Sequence, residues 1–198
     1  TARSGRIVYA SKRLRTLSSA GSTVVRTDRD GAQATYQWDS QRQAYTTTAG
    51  AGAHDTIVYD SAAGEFRWQQ DGSGLQESYA ASSGRLVRSV DPAGSAITYA
   101  YDEASGRLLG AQDASGERVW YDYDGNRLKQ IRTEYKDDAG QFVTRIAVRY
   151  EYDASNRLSA VVADLTPDDN SVADGKVFRT EYTYDGTSKR VQTVRQSD

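Results

Sequence analysis

Residues 121–128 read "YDYDGNRL", and residues 150–158 return the string as "YEYDASNRL". Each places an aromatic-Asp pair before a short Gly- or Asn-containing link and closes on Arg-Leu. Asp can accept backbone N–H groups across a turn, and Gly or Asn supplies the positive φ that a tight turn needs. Ahead of each string runs an alternating segment. In residues 145–153 Ile146, Val148, Tyr150 and Tyr152 fall on one face, with Ala147, Arg149 and Glu151 on the other. That is the pattern of a half-buried strand entering a turn.

The same template recurs outward. Tyr101-Asp102 is followed by Gly106-Arg107-Leu108, Tyr123-Asp124 by Arg127-Leu128, and Tyr152-Asp153 by Arg157-Leu158. Weaker copies are Tyr59-Asp60, Tyr79 with Gly84-Arg85-Leu86, and Tyr184-Asp185 with Arg190-Val191. Trp38-Asp39 and Tyr9 with Arg13-Leu14 are the most degraded. The aromatic markers fall at 9, 38, 59, 79, 101, 123, 152 and 184, so the inner steps are 20–22 residues and the outer ones carry insertions. A unit of that length holds two short strands and two turns, a β-hairpin. The second turn is marked by Asp91-Pro92-Ala93-Gly94, by residues 113–116 and by residues 137–140. The expected fold is all-β: an antiparallel meander of about eight tandem hairpins in one repeat domain over 1–198, clearest from 79 to 158 and degenerate over 1–58 and 159–198. Each motif Arg is expected to pair with its own Asp, and Trp38, in the tyrosine slot, to be core.

Composition agrees with strands, because 14 Tyr and only two Pro accompany abundant Thr and Val. The 25 basic and 27 acidic residues are interspersed and give a net charge of -2, which predicts no nucleic-acid track. No apolar run has the length of a membrane span, and cysteine is absent. A start at Thr1 without Met suggests a piece of a longer polypeptide.

At the aromatic-Asp and Arg-Leu positions the chain resembles the Rhs, or YD-repeat, family, which includes bacterial Rhs polymorphic toxins, the C component of insecticidal toxin complexes and animal teneurins. The resemblance implies a sheet strip of the kind that spirals into a hollow β-shell, here a curved open sheet or an arc of wall. It implies a structural, non-enzymatic segment of a secreted or cell-surface bacterial protein, one that encapsulates or displays a toxin. Its partners would be the rest of the parent polypeptide, including further repeats and a toxin cargo. The structural motif residues are then Tyr59, Asp60, Tyr79, Tyr101, Asp102, Arg107, Tyr123, Asp124, Arg127, Tyr152, Asp153, Arg157, Tyr184 and Asp185. Asp91-Pro92-Ala93-Gly94 echoes the family's cleavage region, but more repeats follow it and it reads as a turn.

Candidate chemistry is sparse. The lone His54 lies beside Asp55 before a strand, with no nucleophile indicated, and reads as a loop histidine. Asp164, Asp168, Asp169 and Asp174 gather in an insertion; calcium is one reading and a solvated acidic loop the favoured one, because the spacing fits no EF-hand. No cofactor is expected. Trp120 alternates with Tyr121 and Tyr123, so it faces the other way, and with Trp68 it could form a stacking platform. That is the alternative function: an adhesion module binding a glycan or a cell-surface protein. Raw sheet edges could also permit edge-to-edge self-association.

Overall fold

A computed structural model describes residues 16–20, 22–47 and 52–198, with residues 16–20 known through their backbone alone. The expected copy at Tyr9 and Arg13-Leu14 lies outside the described residues. The chain is an antiparallel meander in which the described strands follow one another across the sheet in chain order. It divides into two compact units, residues 1–98 and 99–198.

The first unit holds β1 (Thr16–Ala20), β2 (Thr23–Thr27), β3 (Gln33–Asp39), β4 (Ala44–Thr46), β5 (Thr56–Asp60), β6 (Glu65–Gln69), β7 (Gln76–Ala80), β8 (Leu86–Val90) and the start of β9 (Ala96–Tyr101). Cross-strand partners carry one face from strand to strand: Val24 opposes Tyr36, Trp38 opposes Tyr45, Ile57 opposes Trp68, and Phe66 opposes Tyr79. The face rolls back on itself, since Arg26 of β2 reaches Glu77 of β7 and Tyr36 of β3 reaches Trp68 of β6. Val24, Tyr36, Ile57 and Tyr79 are wholly buried in the result.

The second unit holds the end of β9, β10 (Leu108–Asp113), β11 (Arg118–Asp124), β12 (Arg127–Lys136), β13 (Phe142–Tyr152), β14 (Leu158–Asp164), β15 (Val177–Tyr184) and β16 (Val191–Ser197), with a single 3-10 turn at Pro167–Asp169. The clean alternation expected of residues 145–153 is not observed: nearly every residue of β13 is half-buried. Ion pairs cover the second face. Ala160 and Val162 of β14 are buried where their ladder neighbours are Glu151 and Glu181, and Arg149 and Arg179. Arg179 bonds Glu151 at 2.6 and 2.8 Å and Glu181 at 2.9 Å. Long charged side chains thus lay their apolar stems over the small residues between them.

The hairpins repeat one irregularity that the sequence does not announce. Tyr79 opposes Leu86, Tyr123 opposes Leu128, Tyr152 opposes Leu158, and Tyr184 opposes Val191, and one residue beyond each pair the register slips. The extra residues are Val87, Lys129, Ser159 and Gln192. A bulge of this kind bends the return strand and raises its local twist.

Two turn types alternate along the chain. In the second type, Gly94, Gly116 and Gly140 donate to Asp91, Asp113 and Asp137, whose own N–H groups bond the carbonyls of Ser95, Glu117 and Gln141. Asp28 and Gly31 make the same pair of bonds with Ala32, an unmarked copy of the turn. Asp91-Pro92-Ala93-Gly94 therefore has ordinary turn geometry.

Candidate functional site

The motif residues build two arrangements, one in each unit. In the second unit they link each hairpin to the next. The Tyr123 hydroxyl donates to the Leu108 carbonyl at 3.0 Å, Tyr152 to Leu128 at 2.8 Å, and Tyr184 to Leu158 at 2.7 Å. The inter-hairpin ladder stops two residues short of each leucine, at Gly110, Gln130 and Ala160. After Leu128 and Leu158 a bulge turns the strand away, and at all three joints the next hairpin's tyrosine satisfies the leucine carbonyl in place of a backbone N–H.

The arginines point the same way. Arg107 lies over the Tyr123 ring at 5.3 Å, Arg127 over Tyr152 at 5.2 Å, and Arg157 over Tyr184 at 4.5 Å. Each guanidinium continues into the following turn: Arg107 bonds the Gly125 carbonyl and the Asn126 amide oxygen, Arg127 bonds Asn156 at 2.7 Å, and Arg157 bonds the Gly186 and Ser188 carbonyls at 2.7 and 2.8 Å. Pairing with the own Asp occurs at Arg127–Asp124 and Arg157–Asp153, both 2.7 Å. Asp102 instead accepts the Ser105 N–H and hydroxyl at 2.7 and 2.5 Å. The motif Arg is thus chiefly a connector between hairpins, which a within-repeat reading of the sequence misses.

The Asp carboxylates sit at turns. Asp60 accepts the N–H groups of Ala62 and Ala63, and Asp153 those of Ser155 and Arg157. The Ala63 N–H chiefly holds the Asp60 carboxyl below the usual range; Ser105 does so for Asp102, and the Arg157 N–H for Asp153. A carboxyl whose pKa is lower in the fold than in the unfolded chain contributes stability above the unfolded value and loses it as pH falls through the folded value. The urea midpoint is therefore expected to hold from neutral pH down to about 5 and to drop as the pH falls below about 4. A midpoint at about pH 3 equal to that at neutrality would remove these turns from the stability of the fold.

In the first unit, Tyr79 departs from the pattern. Its hydroxyl donates to the Glu77 carboxylate and accepts Arg26 Nε at 3.0 Å. Arg26 also bonds Glu77 at 2.7 Å and stacks over the Trp68 ring at 3.9 Å. The Trp68 indole donates to the Tyr36 hydroxyl at 3.0 Å. Burial pushes the hydroxyls of Tyr79 and Tyr36 up; it opposes the charge of Arg26, but the oxygens of Tyr79 and Glu77 outweigh it and raise the guanidinium. Beside this clamp lies a cavity of about 330 Å³, lined by Arg26, Gln33, Tyr36, Asp55, Trp68 and Gln70 among others. Asp55 is buried and accepts the Asp71 N–H at 2.9 Å. His54 is exposed in the preceding turn, with its N–H on the Thr47 carbonyl.

The two tryptophans considered for a platform have different surroundings. Trp68 is 3% exposed, closed in by Arg26 and Tyr36, so it offers no solvent-facing ring. It falls outside the marker positions of the repeat, which makes it a platform candidate by sequence, but it shares the covered face of β6 with Phe66. Trp120 does face away from Tyr121 and Tyr123, yet it is half-buried opposite Gly110, with Arg132 5.5 Å over its ring. Around it run Arg132–Asp122 at 3.0 Å and Arg118–Glu134 at 3.5 Å. Trp38, expected in the core, is 40% exposed, edge-on to Tyr45 at 5.1 Å, because Tyr36, two residues earlier on the same face, takes the covered place.

The four acidic insertion residues have different ion-pair and turn partners, with Thr166 giving its N–H to Asp164 and its hydroxyl to Asp174. Asp164 pairs with Arg149 at 3.3 Å, Asp168 pairs with Arg145, Asp169 accepts the Ser171 N–H, and Asp174 accepts the Thr166 hydroxyl at 2.8 Å. Among the described residues no group of three or more His, Cys, Asp or Glu is arranged to hold a metal ion. No described helix is long and apolar enough to cross a membrane.

Residues 82–118 match the RHS Repeat family. No curated protein matches the chain. Among solved structures, the chain is 17% identical to one titled TcdB2-TccC3 over 89% of its own length and 11% of that chain, with a TM-score of 0.48. It is 16% identical to a Photorhabdus luminescens Tc holotoxin pore chain carrying a mutated TccC3, over 87% of its length and 8% of that chain, at 0.45. It is 13% identical to a porin-like protein from Bacteroides uniformis, over 92% and 87%, at 0.36.

Proposed function

We propose that this chain, which carries an Rhs repeat at residues 82–118, is a non-enzymatic structural stretch of wall in a larger secreted or surface-delivered toxin polypeptide, where it shields or displays a cargo. The observation that carries this is the relay of Tyr hydroxyl to the preceding Leu carbonyl, made three times with the same partners. A catalytic or lectin site needs one unique constellation. A wall needs one joint, repeated, so that load and register pass from hairpin to hairpin.

Three single changes test it: Tyr123→Phe, Tyr152→Phe and Tyr184→Phe. Each removes one hydroxyl from a part-buried carbonyl and is expected to lower unfolding free energy by about 0.5–1.5 kcal/mol in urea titrations. The three losses should be alike. One large loss beside two null results would indicate a local site in place of a repeated joint. In the parent polypeptide, the triple variant should expose the enclosed cargo to added protease, and equal cleavage of parent and variant would refute shielding. The adhesion alternative is read on a glycan array, where saturable binding abolished by Trp120→Ala would replace the wall with a binding module.

A further inference from the structure

One stretch of edge inside the sheet is closed by side chains. β12 pairs with β13 as far as Lys136 and Phe142, whereas the pairing of β13 with β14 reaches only to Val148 and Ala163, so residues 142–146 run past the end of β14. Their outward groups are taken by the insertion that follows β14. The Asn170 carboxamide accepts the Ile146 N–H at 2.9 Å and donates to the Thr144 carbonyl at 2.8 Å. Arg149 donates to the Ile146 carbonyl at 3.4 Å and to the Asn170 carbonyl at 2.8 Å, and Arg145 pairs with Asp168. The insertion is itself tied together. The Leu165 N–H meets the Lys176 carbonyl at 3.0 Å, and Asn170 follows the 3-10 turn in the left-handed region at φ 56°, which Asn enters more readily than most residues.

We propose that residues 165–176 are an edge guard, in which the Asn170 carboxamide occupies Thr144 and Ile146 and so keeps residues 142–146 of β13 from pairing with the same residues of a second copy of this chain. A carboxamide offers a donor and an acceptor, as a strand residue does, but it has no far side on which a further strand could add. A second copy is the occupant that the exposed sequence fits, because an antiparallel pair about a two-fold axis at Thr144 is self-complementary: Thr144 meets Thr144, and Phe142 meets Ile146. Threonine pairs and aromatic–β-branched pairs are favourable across strands, and Phe142 is 42% exposed. Phe142, Val143, Thr144 and Ile146 are all strand formers. The guard closes an edge between β13 and β15 and does not rest on the wall reading.

Sedimentation equilibrium of the full chain reads the guard. Asn170→Ala, and Asn170→Asp, which keeps the shape but loses the donor to Thr144, are each expected to tighten self-association at least about tenfold over the unsubstituted chain. Unchanged far-ultraviolet circular dichroism identifies the variant that keeps its strands. The chain contains no cysteine, so Thr144→Cys reports where two copies meet. With diamide as oxidant, Thr144→Cys should give a disulfide-linked dimer when combined with Asn170→Ala and remain largely monomeric when Asn170 is kept. Self-association unchanged in both Asn170 variants, or cross-linking of Thr144→Cys that is the same with and without Asn170, would overturn the proposal. Tighter association without cross-linking at position 144 would overturn the pairing of β13 with itself.

Discussion

Replacing Glu77 by Gln is expected to cost about 3–5 kcal/mol of folding stability, the penalty for breaking a buried ion pair and leaving Arg26 with only the more distant Asp28 carboxylate, at 3.9 Å, in the ion pairs described. Glu77 is 2% and Arg26 7% exposed, and the two meet at 2.7 Å across the roll of the first unit, with the Tyr79 hydroxyl bonded to both. The guanidinium cannot turn to water without leaving Trp68, over which it stacks. The magnitude measures the damage of removing one charge and does not equal the worth of the pair, because desolvation of both charges offsets most of their attraction. The discriminating comparison is therefore a double substitution, Arg26→Met with Glu77→Leu, which should recover most of the loss by filling the space with apolar volume. Urea unfolding of both variants reads the difference. A loss below about 1 kcal/mol for Glu77→Gln would mean that water reaches Arg26.

The hairpin fold was legible in the sequence because its signals are local. Tyr123, Asp124, Asn126, Arg127 and Leu128 stand within one turn of each other, and β-turn chemistry acts over that range. The partners of the same side chains were not legible. Arg127 reads as a mate for Asp124, three residues away, and it is; its other bonds go to Asn156 and the Tyr152 ring, one hairpin on. Nothing at position 127 encodes that distance, which is fixed by the bulge beyond Leu128. The Arg26–Glu77 clamp was invisible for a similar reason. Alternation puts Arg26 on the face of Val24 and Glu77 on the face of Tyr79, but nothing local to either charge names the other as its partner; the roll that brings β2 to β7 does. The same roll explains why Trp68 is covered while Trp38 is not. Alternation predicts which residues share a face, but not which stretch of that face another strand will cover.

Gly110 provides the second large effect. It stands opposite Trp120 in the β10–β11 ladder, and a Cβ built on it would press into the six-membered ring of Trp120 and lie 2.5 Å from the Val119 carbonyl oxygen. Elsewhere a strand glycine only weakens the strand, but here it is the space in which the indole lies. Gly110→Ala is expected to destabilise the chain by about 1–3 kcal/mol through overpacking and to alter the near-ultraviolet circular dichroism of Trp120. Adding Trp120→Ala should restore only part of the loss, because the Val119 carbonyl is backbone and cannot withdraw as a side chain can. Full recovery in the double variant would place the whole conflict in the ring. No loss in the single one would show that the indole is free to move off Gly110, and Trp120 would then be available as an exposed stacking surface. The outcome at Gly110 thus bears on the choice between the proposed wall and the adhesion module: a ring locked over glycine within the Arg132, Asp122, Arg118 and Glu134 ion pairs offers no free stacking face and supports the wall proposal.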